Sequence, residues 1–323
     1  MSKWNKFATP SNNFTMAKLS VIIPCYYNEH NIPVTTQELI ANEALFPAEV
    51  TFEYVMVDDG SKDGTLNELK KFKNSYPDKV KVVKLSGNFG SYNAIQAGMK
   101  HATGDCNVVI AADLQDPPEL MVKMFEYWEK GVKLVVANRD EREDKWTSRL
   151  FAEYYQKLIR KHALPNLPKG GFDYCLFDKQ LREQVINLNE TNTNSLYLLM
   201  WLKYDYVAIP YIRKERKIGQ SRWTLKKKVK LFIDSFVSFS YAPLRLITTT
   251  GLLLGGSSFL YAMYVITARL SGWIDIQGWS TMMVVFLLVS SFQMMALGII
   301  GEYLWRNLEA GRKRPAYIVE EVI

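Results

Sequence analysis

Cysteine and histidine are scarce: the 323 residues hold three of each. Cys25, Cys106 and Cys175 lie far apart with no CxxC spacing, and His30, His101 and His162 form no ligand cluster. This argues against a zinc site or a disulfide framework and for a reducing, cytosolic setting in which the thiols serve packing. No GxGxxG follows the first apolar run, which disfavours a dinucleotide-binding enzyme. The opening "MSKWNKFATPSNNFT" lacks the apolar core of a signal peptide, so residues 1–18 read as a flexible arm.

Charge of one sign is missing from several places. Lys and Arg number 40 against 33 Asp and Glu, a formal charge of +7. Much of the excess sits between Arg213 and Lys230, where the only acid is Glu215. Two later stretches, Leu246 to Ala268 and Trp279 to Gly301, carry no charge at all. Each is long enough to cross a hydrocarbon core of about 30 Å, and Trp273, Trp279 and Trp305 flank them. The link "SGWIDIQG" has no Lys or Arg, whereas basic residues crowd before the first stretch and recur in "RNLEAGRKRP" after the second. Both chain ends are therefore expected on the cytoplasmic side.

Between these regions, strand-like and helix-like segments alternate from Leu19 onward. "LSVIIPCYY", "TFEYVMVDDG", "KVKVVKLS", "CNVVIAAD" and "VKLVVANR" read as strands, with amphipathic helical stretches between them. Ser61 or Asp63 is the expected cap of the second helix. Alternation of this kind predicts an α/β fold, a mostly parallel sheet covered on both faces, with ligands beyond the carboxyl ends of the strands.

Polar residues gather at those ends: Tyr26, Asn28 and Glu29, then Asp58 and Asp59, then Asp113 and Gln115, then Arg139. A carboxylate repels a nucleoside diphosphate unless a divalent cation lies between them. Asp113 and Gln115, two apart past a strand, both offer oxygen to one hard cation, Mg²⁺ or Mn²⁺. Asp116, before Pro117, reads as a cap for the following helix. The basic stretch against the cytoplasmic leaflet has two open roles. It is attracted to anionic lipid heads by about 1 kcal/mol per basic residue, or it holds a phosphate anchored in the membrane, a task suited to arginine's planar fork. Nucleic acid is disfavoured, because the cluster joins directly to the apolar stretches.

In their order, "SVIIPCYYNE", "VMVDDGSKDGT", "NFGSYNAIQAGMKHATGD" and "AADLQDPPEL" resemble the family 2 glycosyltransferases with a GT-A fold. The closer resemblance is to the polyprenyl-phosphate glycosyltransferases, relatives of dolichol-phosphate mannose synthase and the bacterial bactoprenol glucosyltransferases. It covers Leu19 to the C-terminus. It implies a Rossmann-like GT-A domain over 19–212, a basic and amphipathic interface segment over 213–243, a two-helix transmembrane hairpin over 244–301 and a cytoplasmic tail over 302–323, in a bacterial inner membrane. It further implies that Pro24, Tyr26, Glu29, Asp58 and Asp59 hold the base and ribose of a UDP-sugar, with Asp113 and Gln115 at the metal. Arg139 is implied at phosphate, Arg213, Arg216, Ser221 and Arg222 at the acceptor phosphate, and Asp173 near the sugar. The implied reaction is inverting transfer of the sugar to polyprenyl (undecaprenyl) phosphate.

Two positions depart from the family pattern. Ala111 replaces the first acid of the usual Asp-Ala-Asp, and Cys175 stands where an arginine is usual, so no phosphate role is carried to it. Two alternatives stay open: a membrane subunit that holds nucleotide without turnover, and a processive polysaccharide synthase. "QSRW" is one residue short of the synthase motif, and two spans do not enclose a pore. "GLLLGG" in the first span allows close helix contact and motivates an expected homo-oligomer.

Overall fold

The computed structural model describes residues 16–139, 157–168, 170–188, 190, 193–214, 234, 237–271 and 278–323, without the side chains of Arg139, Arg269, Trp279 and Ser280. The chain divides into two compact units, Met1–Ser235 with Pro315–Ile323, and Phe236–Arg314.

The first unit is built from β1 (Lys18–Cys25), α1 (Ile32–Glu43), β2 (Thr51–Asp58), α2 (Thr65–Ser75), β3 (Val80–Leu85), α3 (Ser91–His101) and β4 (Cys106–Val109). α4 (Leu120–Glu129), β5 (Leu134–Arg139), β6 (Cys175–Asp178), α5 (Lys179–Leu188), α6 (Ser195–Trp201), β7 (Val207–Tyr211) and a last strand, β8 (Val319–Val322), complete it. The strands form one sheet in the order β7-β5-β6-β4-β1-β2-β3-β8. β1 pairs in parallel with β2 and β4, as do β2 with β3 and β5 with β7. The expected mostly parallel α/β sheet is therefore present.

Both faces of the sheet are covered, which explains the unbroken apolar runs. Leu19, Val21, Ile23 and Cys25 of β1 join a core with Leu39 of α1, Leu69 of α2 and Phe125 of α4. On the other face α3 lies so close that a Cβ on Gly98 would sit 2.3 Å from Ile22 Cγ2. Cys25, Cys106 and Cys175 are all buried, and burial pushes each thiol up, so they serve packing.

Three strands were not anticipated: β7, which is parallel to β5, and β6 and β8, which are both antiparallel. β6 lies between β4 and β5, and β8 pairs with β3 at the edge. The segment read as a tail over 302–323 thus contributes to the sheet. Ser86 N donates to Ile318 O at 3.0 Å, Ile323 N to Val82 O at 2.8 Å, and Lys84 meets Glu320 at 2.5 Å. Deleting residues 318–323 opens β3 as an unpaired edge. The expected loss is about 2 kcal/mol, from a few net hydrogen bonds, measured as a lower Tm and raised light scattering.

At the opposite edge from the strands' carboxyl ends, Glu53 is buried at 6% exposure. Its carboxylate accepts from Ser20 Oγ at 2.6 Å and Thr103 N at 2.7 Å, and lies 3.3 Å from Lys81 and 3.5 Å from Lys18. Burial pushes this carboxyl up, but the hydrogen bonds and the two ammonium groups outweigh burial and hold it at about 2. A depressed folded value contributes stability above the unfolded value, and that stability is lost as pH falls through the folded one. Glu53→Ala is expected to cost about 3 kcal/mol at pH 7 by stranding its partners. In denaturant titrations the gap to wild type should narrow only below about pH 4.5, closing near pH 2.

The second unit holds α7 (Ala242–Leu270) and α8 (Trp279–Arg312), of 29 and 34 residues. Both are long and apolar enough to cross a membrane. Their large side chains point outward, Leu253 at 74% and Phe286 at 65% exposure, so burial in a core does not account for their composition. Thr248, Thr249, Ser257 and Thr267 of α7 donate along the helix, Thr248 to Leu244 O and Thr267 to Met263 O, as an apolar solvent requires. α8 ends at Lys313, which takes a left-handed φ of 49° before Pro315. The residues 1–15 and 272–277 lie outside the described residues, as does most of the interface segment.

Candidate active site

The carboxyl ends of β1, β2 and β4 stand together because the register aligns them: Cys25 pairs with Asp58, Ile22 with Val109, and Ile110 N donates to Ile22 O at 3.1 Å. Each strand then releases polar residues on the same edge. Pro24, near the end of β1, and Tyr26 and Glu29, just past it, are half-buried. Tyr26 N donates to Asn28 Oδ1 at 2.8 Å, and Tyr27, at φ 56°, gives its N–H to Ser61 Oγ at 3.0 Å. Asn28 N donates to Thr65 Oγ1 at 2.7 Å. Glu29 Oε2 accepts from Gly64 N at 3.0 Å, and a Cβ on Gly64 would strike that carboxylate at 2.5 Å. The loop after β1 is thus laced to the loop after β2.

The two acids at the end of β2, Asp58 in the strand and Asp59 just past it, differ in their surroundings. Asp59 accepts from Phe89 N at 2.7 Å and Gly90 N at 3.0 Å, so its carboxylate shapes the loop leading to α3. Gly60, at φ +69°, packs against that loop: an added Cβ would lie 2.4 Å from Gly87 C. Asp58 is fully buried, with Oδ1 accepting from Ser61 N at 3.1 Å. Its Oδ2 has no hydrogen-bond partner among the described residues. Burial pushes the Asp58 carboxyl up and Asp63 adds to this, opposed by the hydrogen bonds from Ser61 and the charge of Lys84.

Past β4, the acidic loop is held from below. Thr35 Oγ1 donates to Ala112 O at 2.8 Å, Asn42 Nδ2 to Pro118 O at 3.1 Å and Tyr174 OH to Pro117 O at 3.2 Å. Leu114 takes a φ of 51°, and the Gln115 backbone N–H donates to Asp113 Oδ1 at 3.3 Å, closing a tight turn over residues 113–115. Gln115 Nε2 donates to Lys214 O at 3.3 Å. One carboxylate and one amide oxygen are hard donors that fit a divalent cation keeping several waters and taking phosphate oxygens. Among the described residues no group of three His, Cys, Asp or Glu could hold a metal alone.

Two expected caps are corrected. Asp116 does not cap α4, whose N-cap residue is Glu119. It is buried and accepts from Tyr211 OH at 2.5 Å, because α4 starts a turn later than Pro117 suggests. α2 starts after Gly64, and Ser61 serves Tyr27 instead, while Asp63 Oδ1 does accept from Thr65 N at 3.1 Å.

Arg139 ends β5 beside Tyr211 of β7, with its side chain outside the described residues. Asp173 is exposed just before β6, on the same edge as Val109. Arg213 follows β7, its Nε 3.6 Å from Asp116 Oδ1. Arg216, Ser221 and Arg222 lie outside the described residues. Sequence reasoning missed Thr35, Asn42 and Tyr211, whose roles come from pairs 76 to 95 residues apart. Their one sequence signal is a polar side chain on an otherwise core-facing position.

This edge of carboxylates over a parallel sheet has known relatives. A profile described as "Glycosyl transferase family 2" matches residues 20–187. The chain belongs to glycosyl transferase family 2. Within that family it is 35% identical over 303 residues to the uncharacterized glycosyltransferase YkcC of Bacillus subtilis, covering 94% of this chain and 93% of that one. It is 32% identical over 304 residues to the bactoprenol glucosyl transferase of Shigella phage SfX, covering 94% and 99%. Among solved structures it is similar to the mannosyltransferase PcManGT from Pyrobaculum calidifontis, at 17% identity, 90% and 88% coverage and a TM-score of 0.46. As a family 2 member with a GT-A-like sheet, the chain is a glycosyltransferase.

Proposed function

We propose that this glycosyltransferase moves a sugar from a UDP-sugar to a membrane-anchored polyprenyl phosphate at the cytoplasmic face, inverting the anomeric centre. The observation that carries the reading is full-length similarity to a bactoprenol glucosyl transferase, through the nucleotide edge and both apolar helices. The buried Asp58 Oδ2, without a hydrogen-bond partner among the described residues, supports a nucleoside at the β2 end, since it can accept the uracil imide hydrogen or a ribose hydroxyl. Tyr26, Pro24 and Glu29 line the same edge, and Asp59 acts by shaping the 86–90 loop.

Asp113 and Gln115 would hold Mg²⁺ or Mn²⁺. When bound, such a cation neutralises the diphosphate as it leaves. Arg139 binds a donor phosphate oxygen, and Arg213, Arg216, Ser221 and Arg222 hold the acceptor phosphate close to it despite repulsion. A polyprenyl phosphate is already an anion at neutral pH, so no side chain has to remove a proton before it attacks the anomeric carbon. Asp173 accordingly orients sugar hydroxyls. The basic arm also attracts anionic lipid heads, and α7 and α8 cross the bilayer with both chain ends in the cytoplasm.

Ala111 keeps one other reading in view, a subunit that holds nucleotide without turnover. UDP release by detergent-solubilised protein separates the two, assayed over a panel of UDP-sugars with and without undecaprenyl phosphate. Lipid-dependent release with one sugar supports the transferase; UDP binding without any release supports the subunit.

A further inference from the structure

The acidic loop and the root of the basic arm are joined at one buried point. Asp116 is 1% exposed, lies one residue after Gln115 and three after Asp113, and is not the N-cap residue of α4. Its Oδ1 accepts the Tyr211 hydroxyl at 2.5 Å and lies 3.6 Å from Arg213 Nε. Tyr211 is itself 7% exposed and Arg213 retains about a third of its side-chain surface, so water screens this junction little. Beside it the backbones interlock, Lys214 N donating to Gln115 O at 2.9 Å and Gln115 Nε2 to Lys214 O at 3.3 Å. The exposed pair Lys214–Glu119, at 3.9 Å, adds little. Every one of these contacts links residues 115–119 to residues 211–214, and the basic arm begins at 213.

We propose that Asp116 is a positioning residue: its buried carboxylate clamps Tyr211 and Arg213, and so fixes the root of the acceptor-binding arm against the loop that carries Asp113 and Gln115. The clamp sets the distance between the acceptor phosphate and the anomeric carbon, while the nucleoside end of the donor, held by β1 and β2, is indifferent to it. Part of Arg213's charge is committed to Asp116 in this arrangement, so Arg213 anchors the arm as well as facing the acceptor.

The proposal rests on the transferase reading, and the test keeps the two apart. Full-length Asp116→Asn, Tyr211→Phe and the double variant are purified in detergent beside wild type, and UDP affinity, kcat and the KM for undecaprenyl phosphate are measured. Wild-type protein without lipid-dependent turnover would sink the transferase reading itself. With wild type active, each single variant should raise the acceptor KM or lower kcat by about tenfold, equivalent to about 1.4 kcal/mol. UDP affinity should stay within about twofold, and the double variant should be hardly worse than either single one, because both remove the same junction. A parallel fall in UDP affinity, unchanged kinetics, or effects that multiply in the double variant would overturn it. Should Asp116→Asn fail to fold, Tyr211→Phe, which loses one hydroxyl, decides by the same split.

Discussion

Asp113→Ala should abolish lipid-dependent UDP release, a fall of at least about a hundredfold, in line with losing a charged group that acts on the leaving diphosphate. The side chain is half-buried, and the loop is held mainly by Thr35, Asn42 and Tyr174, with the long bond from Gln115 N the one lost, so the fold should survive and Tm should change little. Asp113→Asn keeps an oxygen but loses the charge, and should fall between wild type and Asp113→Ala. A readout independent of turnover is UDP affinity with and without Mn²⁺. Wild type should gain affinity on adding the ion, Asp113→Ala should gain almost none, and in EDTA the two should bind alike. Equal gains in both proteins would remove Asp113 from the cation site.

Gly60→Ala should be the most damaging single change near the nucleotide edge. At φ +69° an alanine is strained, and its Cβ would sit 2.4 Å from Gly87 C, 2.7 Å from Gly87 Cα and 2.8 Å from Asn88 N. All three are backbone atoms, so no rotamer change relieves the overlap. The 86–90 loop has to move, breaking the hydrogen bonds from Phe89 N and Gly90 N to Asp59 and shifting the Asp58–Asp59 pair. The expected cost is about 3 kcal/mol or more, with UDP affinity lowered more than about tenfold. Gly87→Ala is the matching control: its Cβ meets open space, and stability should stay within about 0.5 kcal/mol of wild type. Calorimetric melting and UDP titration of both variants check the pair.

Much of the architecture was legible because the parallel strands are buried on both faces and therefore written as continuous apolar runs, as in "SVIIPC" and "YVMV". Their polar ends were legible for the same reason, since acids after such runs have few structural uses. β6 was not, because "CLFD" is four residues long and its place between β4 and β5 depends on partners about 40 to 70 residues away. β8 was hidden by composition: "VEEV" is an edge strand with exposed acids, and reads as a solvated tail until Lys84 and the open side of β3 are in view. Asp116 was misread because a carboxylate before two prolines fits a local cap, whereas its partner Tyr211 lies 95 residues on. Local chemistry is readable from local sequence; junctions between distant segments are not. The donor's sugar is likewise written in pocket contacts that no short motif encodes.

Divalent-cation-dependent sugar transfer to a polyprenyl phosphate is decided by one assay. UDP release by the full chain in detergent is followed over a panel of UDP-sugars, with undecaprenyl phosphate present or omitted and with Mg²⁺, Mn²⁺ or EDTA. Release is expected with one sugar only, dependent on the lipid and abolished by EDTA. Release that ignores the lipid, or UDP binding with no release from any donor, would contradict it.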